Sequence, residues 1–308
     1  MQIAIIELGR IDGNIVRRLL RAEHSCVVYD AEAAQALATA GAIPASSLAD
    51  VTARLTETSC MTWIVLPSVV ITEAAVTTLG GLMSAGDVLI DSDCSNFKGD
   101  AQCAANPAER GVRYLNVGTS GGVWRLEREY CLMIDGERSA FEHLNPIFAA
   151  LAPGIGDTPR TEQHLETVAM RDRRAEQGHL YVGLSGARHF VKMIYNGIKY
   201  GMMQAIAEGF DILRNHALPS PPEAKHYDLN LTDLFKVWRR GSVVTSWLLD
   251  PSVSASVHDP GLNSFFSHVE DSGKGRWTIK AVIKQAVPAD VLSAMCLGFG
   301  GQVETLKA

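Results

Sequence analysis

The segment Gly183–Arg214 reads GLSGARHFVKMIYNGIKYGMMQAIAEGFDILR, and the second half of the chain is organised around it. Apolar or small residues recur there at intervals of three and four, which predicts one long helix with a continuous apolar stripe. Three of the small residues are glycines, Gly197, Gly201 and Gly209. Glycine costs helix stability but lets another backbone approach closely. We therefore expect a tightly packed central helix.

A second face of the same predicted helix carries Lys192, Asn196 and Lys199, which are spaced by four and three residues. Two amines on one face disfavour each other's charged form, and burial adds to this effect. Lys192 could then act as a neutral general base, with Lys199 as the acid. The alternative is that Lys199 reaches solvent or pairs with an acidic neighbour.

Composition restricts the class of protein. The chain has 308 residues and a formal net charge of -6, which argues against a nucleic-acid or membrane surface as its partner. It shows neither a signal peptide nor an 18-residue apolar run. Its six cysteines lack metal-ligand spacing, so we expect no metal site and reduced thiols in a cytoplasmic protein.

The first half alternates short apolar runs with helical periods. QIAII, CVVYD, TWIVL, VLID, RYLNV and CLMID are the predicted strands. This order is typical of an α/β, doubly wound, mostly parallel sheet. We predict a Rossmann-like NAD(P)-binding domain at residues 1–177, ending in the polar loop Thr158–Gln177, and an all-helical domain at residues 178–308.

The turn after the first strand has the position of a dinucleotide-binding loop. The expected cofactor contacts are Leu8, Gly9, Arg10, Ile11, Asp30 and Leu66. Only the middle glycine of the GxGxxG pattern is present, because Glu7 and Asp12 replace the other two. These carboxylates would compete with the diphosphate for the helix N-terminus, so binding of NAD or NADP is expected to be weakened or lost. Asp30 favours NAD, since a carboxylate repels a 2′-phosphate.

Five longer blocks resemble one enzyme family. They are VGTSGGVW (117–124), LEREYCLMIDG (126–136), HFVKMIYNGIKYGMMQAIAEGF (189–210), VWRRGSVVTSWLLD (237–250) and DSGKGRWTIKAVI (271–283). The chain is similar over nearly its whole length to the short-chain bacterial type of 6-phosphogluconate dehydrogenase (decarboxylating). The resemblance implies a homodimer or homotetramer, a small anionic substrate, hydride transfer from C3 to a nicotinamide, and then decarboxylation.

The resemblance also assigns roles to individual residues. Ser120, Gly121 and Gly122 match the loop that cradles the substrate, and Tyr200 matches a tyrosine near its phosphate. Lys192 matches the catalytic lysine that takes the 3-hydroxyl proton. Asn196 matches the asparagine that positions substrate and nicotinamide.

Other family positions differ in this chain. Cys94 replaces a substrate-loop asparagine, and Lys199 replaces the glutamate that protonates the enediol. The remaining departures are Arg188 for glycine, Tyr195 for histidine, Thr245 for arginine, and a missing segment after Pro288 that carries a substrate-gripping arginine. Three functions stay open: an oxidoreductase with weak or no 6-phosphogluconate activity, a pseudoenzyme that acts as a binding module, and a non-redox enzyme using Lys192 and Lys199.

Overall fold

The computed structural model describes residues 1–9, 12–30, 33–66, 69–92, 106–121, 125–156, 172–216, 227, 229–260, 264 and 273–296. The chain forms two compact units, Met1–Lys192 and Met193–Ala308. The division falls inside the long helix. The domain boundary expected between residues 177 and 178 lies before it and stays a prediction.

The first unit is built on one eight-stranded sheet. Its strands are β1 Gln2–Ile6, β2 Ser25–Tyr29, β3 Ile43–Pro44, β4 Met61–Ile64, β5 Val88–Asp91, β6 Arg113–Ser120, β7 Cys131–Gly136 and β8 His179–Gly183. The strand order is β3-β2-β1-β4-β5-β6-β7-β8. All neighbouring pairs are parallel except β6 and β7, which are antiparallel. The predicted α/β, doubly wound fold is confirmed.

Helices cover both faces of this sheet. Alternate strand residues point to opposite sides, and on both sides they are apolar and buried. Ile3 and Ile5 of β1 belong to one buried cluster, while Ile6 belongs to another. The helices of the unit are α1 Asp12–Arg21, α2 Ala34–Ala38, α3 Leu48–Arg54, α4 Val69–Leu82, α5 Arg125–Arg128, α6 Arg138–His143 and α7 Asn145–Leu151. A short 3-10 helix, Arg173–Gln177, precedes β8.

Two strands were not expected from the sequence. β3 has only two residues, too few for a periodic pattern, and β8 ends at Gly183, where the long helix was expected to start. Gly183 ends β8 with φ 137°, and Gly186 has φ 97°. These backbone angles favour glycine and are incompatible with a right-handed helix. The long helix, α8, therefore spans Ala187–His216.

The second unit is helical. It contains most of α8, together with α9 Leu231–Trp238, α10 Leu249–His258, α11 Lys274–Gln285 and a helical segment at 290–296. Among the residues that the structure describes beyond Gly183, none lies in a strand. The predicted helical fold of the second domain is confirmed, except that His179–Gly183, which the prediction placed in that domain, forms strand β8 of the sheet.

The apolar stripe of α8 is tightly packed at one point. A Cβ atom added at Gly197 would lie 2.8 Å from Cγ2 of Thr278 on α11, and the Thr278 hydroxyl donates to the carbonyl of Met193 at 3.0 Å. The close neighbour of this glycine is a side chain, whereas a backbone was expected. At Gly209 nothing lies within 4 Å. Ile198 and Met202, which belong to the stripe, are 51% and 43% exposed, so the stripe is only partly buried within one chain.

Candidate functional site

One face of the antiparallel pair β6–β7 carries polar and small residues. Asn116, Gly118 and Ser120 alternate along β6, so their side chains share a face. Their partners on β7 are Asp135, Met133 and Cys131, respectively. The opposite face holds Leu115, Val117 and Ile134 in the core. The face with Ser120 is the one on which α8 begins.

Asp135 fixes the first turn of α8 to this pair of strands. Its Oδ2 accepts a hydrogen bond from the backbone amide of Arg188 at 2.6 Å, and its Oδ1 accepts from the Asn116 side chain at 2.7 Å. Asp135 is fully buried. A carboxylate at a helix N-terminus is stabilised by the helix dipole and by the free amides of the first turn. The starting point of the helix is therefore set by the sheet.

Lys192 lies one turn further along α8 and is 9% exposed. Its charge acts on the thiol of Cys131, whose pKa is raised by burial and lowered to a smaller extent by Lys192. Cys131 is the strand partner of Ser120, which is also 9% exposed. The structure thus brings Lys192 and Ser120 to the same end of the β6–β7 pair.

Gly121 follows Ser120 with φ 148°, a backbone angle that favours glycine. The other two predicted members of the substrate loops, Gly122 and Cys94, lie outside the described residues.

The predicted second face of α8 continues into the second unit. Asn196 is 5% exposed. The Lys199 ammonium lies 4.7 Å from the ring centroid of Tyr200, a cation–π contact. Seven residues of helix separate Lys192 from Lys199 by about 10 Å along the axis.

The nucleotide loop keeps the backbone of a glycine loop. Glu7 has φ 69°, a left-handed conformation in the place of the first glycine. The amide of Leu8 donates to Oδ2 of Asp30 at 2.8 Å, and the amide of Ala33 donates to Oδ1 at 2.7 Å. Asp30 is therefore oriented at the end of β2. Leu8 and Leu66 are buried, while Arg10 and Ile11 lie outside the described residues.

Asp12 begins α1 and is 5% exposed. Its Oδ2 lies 3.4 Å from the position that a Cβ atom on Gly9 would take, and its amide donates to the Gly9 carbonyl at 3.0 Å. A dinucleotide diphosphate binds over such a glycine, at the helix N-terminus. The ribose end of the site fits a dinucleotide. The diphosphate end fits one only when the Asp12 side chain turns away.

No group of three or more His, Cys, Asp or Glu side chains among the described residues could hold a metal ion. Within the same residues, no helix has the length and apolar character needed to cross a membrane.

Comparison with known proteins identifies the family. Residues 2–159 match the model of the NAD binding domain of 6-phosphogluconate dehydrogenase, and residues 188–297 match that of its C-terminal domain. The NAD(+)-dependent, decarboxylating 6-phosphogluconate dehydrogenase of Haloferax volcanii is 32% identical over 99% of this chain and 92% of that protein. The chain belongs to the 6-phosphogluconate dehydrogenase family.

One further relative is similar in sequence, and two solved structures share the fold. The putative 6-phosphogluconate dehydrogenase YqeC of Bacillus subtilis is 30% identical over 96% of this chain and 90% of its own length. The Plasmodium falciparum 6-phosphogluconate dehydrogenase structure has a TM-score of 0.79 at 18% identity, and this chain spans 64% of its length. A 3-hydroxyisobutyrate dehydrogenase structure from Salmonella typhimurium, with a TM-score of 0.70, 18% identity and coverage of 99% and 95%, shares the fold.

Sequence reasoning missed the role of Asp135, although this residue lies in one of the five blocks. The available signal was a carboxylate inside an otherwise apolar strand, CLMID. Such a residue is expected to have buried partners. Cys131 offered no signal, because its proximity to Lys192 depends on where α8 crosses the sheet.

Proposed function

We propose that this protein is an NAD-dependent oxidoreductase of a small 3-hydroxy acid, with weak or no activity on 6-phosphogluconate. The observation that carries the proposal is the placement of buried Lys192 beside the Ser120 end of the β6–β7 pair. A lysine with its amine held in a largely dry site can accept a proton when it is neutral.

In the proposed reaction, the Ser120 hydroxyl and the adjacent loop amides bind the hydroxy acid. Neutral Lys192 removes the proton of the substrate hydroxyl and becomes an ammonium. A bound nicotinamide supplies the acceptor for the hydride that leaves the same carbon. Asn196 orients the substrate through its amide. A 3-keto acid formed in this way loses carbon dioxide readily, and the Lys192 ammonium can return its proton to the carbonyl oxygen.

The preference for NAD rests on Asp30. Its carboxylate is held at the end of β2 by the amides of Leu8 and Ala33, where an acidic side chain accepts from the ribose 2′-hydroxyl and repels a 2′-phosphate. The Haloferax volcanii relative carries NAD(+) dependence in its name. Calorimetric titration should give tighter binding of NADH than of NADPH. The reverse order would contradict this assignment.

A substrate without a phosphate is favoured by the sequence departures. By the family resemblance, this chain lacks part of the segment after Pro288 that carries a substrate-binding arginine. Initial rates with 6-phosphogluconate, gluconate and 3-hydroxyisobutyrate test this point directly, with either nicotinamide cofactor. We expect the phosphate to give no advantage in kcat/KM. Turnover of 6-phosphogluconate near 10 s⁻¹, a typical enzyme value, would refute the proposal.

The matched variants for this assay are Lys192→Met and Lys284→Met. Lys284 is exposed on α11, so its loss should leave the rate unchanged. Loss of the Lys192 amine removes the proton acceptor, and a general base contributes typically about 10²–10⁴-fold to a rate. Equal rates for the two variants would exclude Lys192 as the base.

A second function, that of a binding module without dinucleotide chemistry, is favoured by Asp12. Its buried carboxylate lies over Gly9 at the N-terminus of α1, where it competes with a diphosphate. Asp12→Asn removes the charge at nearly constant volume and should tighten NADH binding by about tenfold or more. If neither the wild type nor this variant binds NADH or NADPH, the oxidoreductase proposal fails and the binding-module function is supported.

We also propose that the protein works in the cytoplasm as a homodimer or homotetramer, with a small anion as its only ligand class besides the cofactor. The exposed apolar side chains on α8, such as Ile212, support self-association. Light scattering at micromolar concentration should give a mass of two or four chains, and a monomer would contradict the proposal.

A further inference from the structure

The residue one turn before Lys192 is a buried arginine. Arg188 is 1% exposed and is among the largest fully buried side chains of the described residues. Its stem fills the space above Gly118, since a Cβ atom there would lie 2.9 Å from Cδ of Arg188. One guanidinium nitrogen points to the carbonyl of Asp91 at 3.5 Å, at the end of β5. The Arg188 side chain therefore lies between the start of α8 and the strands β5 and β6.

Two residues with buried carboxylates contact Arg188, Asp135 at its backbone amide and Asp91 through a backbone carbonyl that faces the guanidinium. Asp135 binds the Arg188 amide, and Asp91, which is 3% exposed, accepts from the hydroxyl of Tyr114 at 2.8 Å. Taking two carboxylates out of water is costly unless cations compensate them. Arg188 and Lys192 are the two buried cations of this part of the chain. The charges of Asp91, Asp135, Arg188 and a protonated Lys192 sum to zero.

Arg188 and Lys192 are four residues apart, so they lie on the same face of α8. A fixed cation at this spacing disfavours the ammonium form of Lys192, whereas the carboxylates of Asp91 and Asp135 favour it. The other titratable groups nearby are His189, Tyr195 and Lys199 on α8 and Cys131 on β7. Arg188 is the one among these groups that carries a permanent positive charge and contacts the start of the helix.

We propose that Arg188 is a positioning residue that keeps Lys192 available as a proton acceptor, because its charge offsets the two buried carboxylates at the start of α8. The inference rests on the proposed function of Lys192 as the base. It adds a residue that the family motif does not supply, since the resembling enzymes have a glycine at this position. Loss of the Arg188 charge removes repulsion of the Lys192 ammonium and leaves the attraction of the two carboxylates unopposed. Both effects favour the ammonium form of Lys192.

The test is a direct titration of Lys192 in the full chain, with ¹³C-labelled lysine followed by NMR. The Lys192 side-chain signal is assigned as the one missing from Lys192→Met. Arg188→Met should raise the Lys192 pKa by about 1 unit or more, which lowers the neutral fraction about tenfold near pH 7. Arg188→Lys keeps the charge and should restore the wild-type value to within about 0.3 units. A folded Arg188→Met protein with an unchanged Lys192 pKa would overturn the inference.

A second pair of variants covers the case in which Arg188→Met does not fold. Asp135→Asn and Asp135→Asn/Arg188→Met differ only in the arginine, and both keep Asp91 as the one buried carboxylate of the two. The Lys192 pKa should be higher in the double variant than in Asp135→Asn. Equal values would also overturn the inference.

This titration separates two kinds of failure, because it needs neither substrate nor cofactor. If Arg188→Met shifts the Lys192 pKa but the wild-type protein has no dehydrogenase activity, the role of Arg188 is supported and the proposed function is refuted. If the protein is an active dehydrogenase and the Lys192 pKa is the same in wild type and Arg188→Met, only the inference about Arg188 is refuted.

Discussion

Replacing Glu7 by glycine should raise the free energy of unfolding and tighten the binding of NADH at the nucleotide loop. Glu7 has φ 69°, and an L-residue in this left-handed conformation costs roughly 1–2 kcal/mol. Glycine adopts it without strain but loses more chain entropy on folding, roughly 0.5–1 kcal/mol. The net gain in free energy of unfolding is therefore about 1 kcal/mol, equivalent to about 2–4 °C in Tm for a unit of this size.

The same change removes a carboxylate from the loop that would hold a diphosphate. We expect Glu7→Gly to tighten NADH binding by about tenfold, since one charge at about 4 Å contributes of the order of 1 kcal/mol or more even when well solvated. Thermal melting and calorimetric titration measure the two effects separately on the same sample.

Glu23 provides the matched control, because it is also a glutamate with a positive φ, 62°. It follows α1 at the opposite end from the loop. Glu23→Gly should give a similar gain in stability and no change in NADH affinity. A stability gain at Glu23 but none at Glu7 would refute the left-handed conformation of the loop. Equal affinity changes in both variants would refute the electrostatic argument.

The remaining predictions concern stability. Gly197→Ala forces a methyl group against Thr278 and should lower the free energy of unfolding by about 1–3 kcal/mol. Gly209→Ala, with open space around it, should raise the free energy of unfolding by up to about 1 kcal/mol. Equal changes for the two variants in urea unfolding would contradict the packing described for α8. The hydrogen bond from the Arg174 guanidinium is the main cause that lowers the pKa of Asp172 in the folded protein. The stability that this bond contributes is present above the unfolded-state pKa of about 3.9 and is lost as pH falls through the folded-state pKa. Arg174→Met should accordingly be less stable than the wild type at pH 7, and the two stability curves should converge in acid; a difference that persists at low pH would show that Arg174 acts through packing.

Much of the site could be derived from the sequence because local spacing determines it. The three-and-four spacing after Ala187 requires a helix, and a helix necessarily places Lys192 and Asn196 on one face. In the first half, alternating strands and helices indicated a parallel sheet with a nucleotide loop after β1. The substitutions at Glu7 and Asp12 were visible for the same reason, since the loop pattern is continuous in the chain.

Tertiary structure decided the features that depend on residues far apart in the chain. No local pattern predicts that Asp135 caps the helix on which Lys192 lies, because 53 residues separate Asp135 from its partner Arg188. The compensation of buried charges around Arg188 likewise needs the ends of β5, β7 and α8 to meet. The sequence by itself thus determined the fold and indicated Lys192 as the candidate base. Only the packing of α8 on the sheet determined which charges surround that base, since electrostatic energy depends on distance in space and not on separation along the chain.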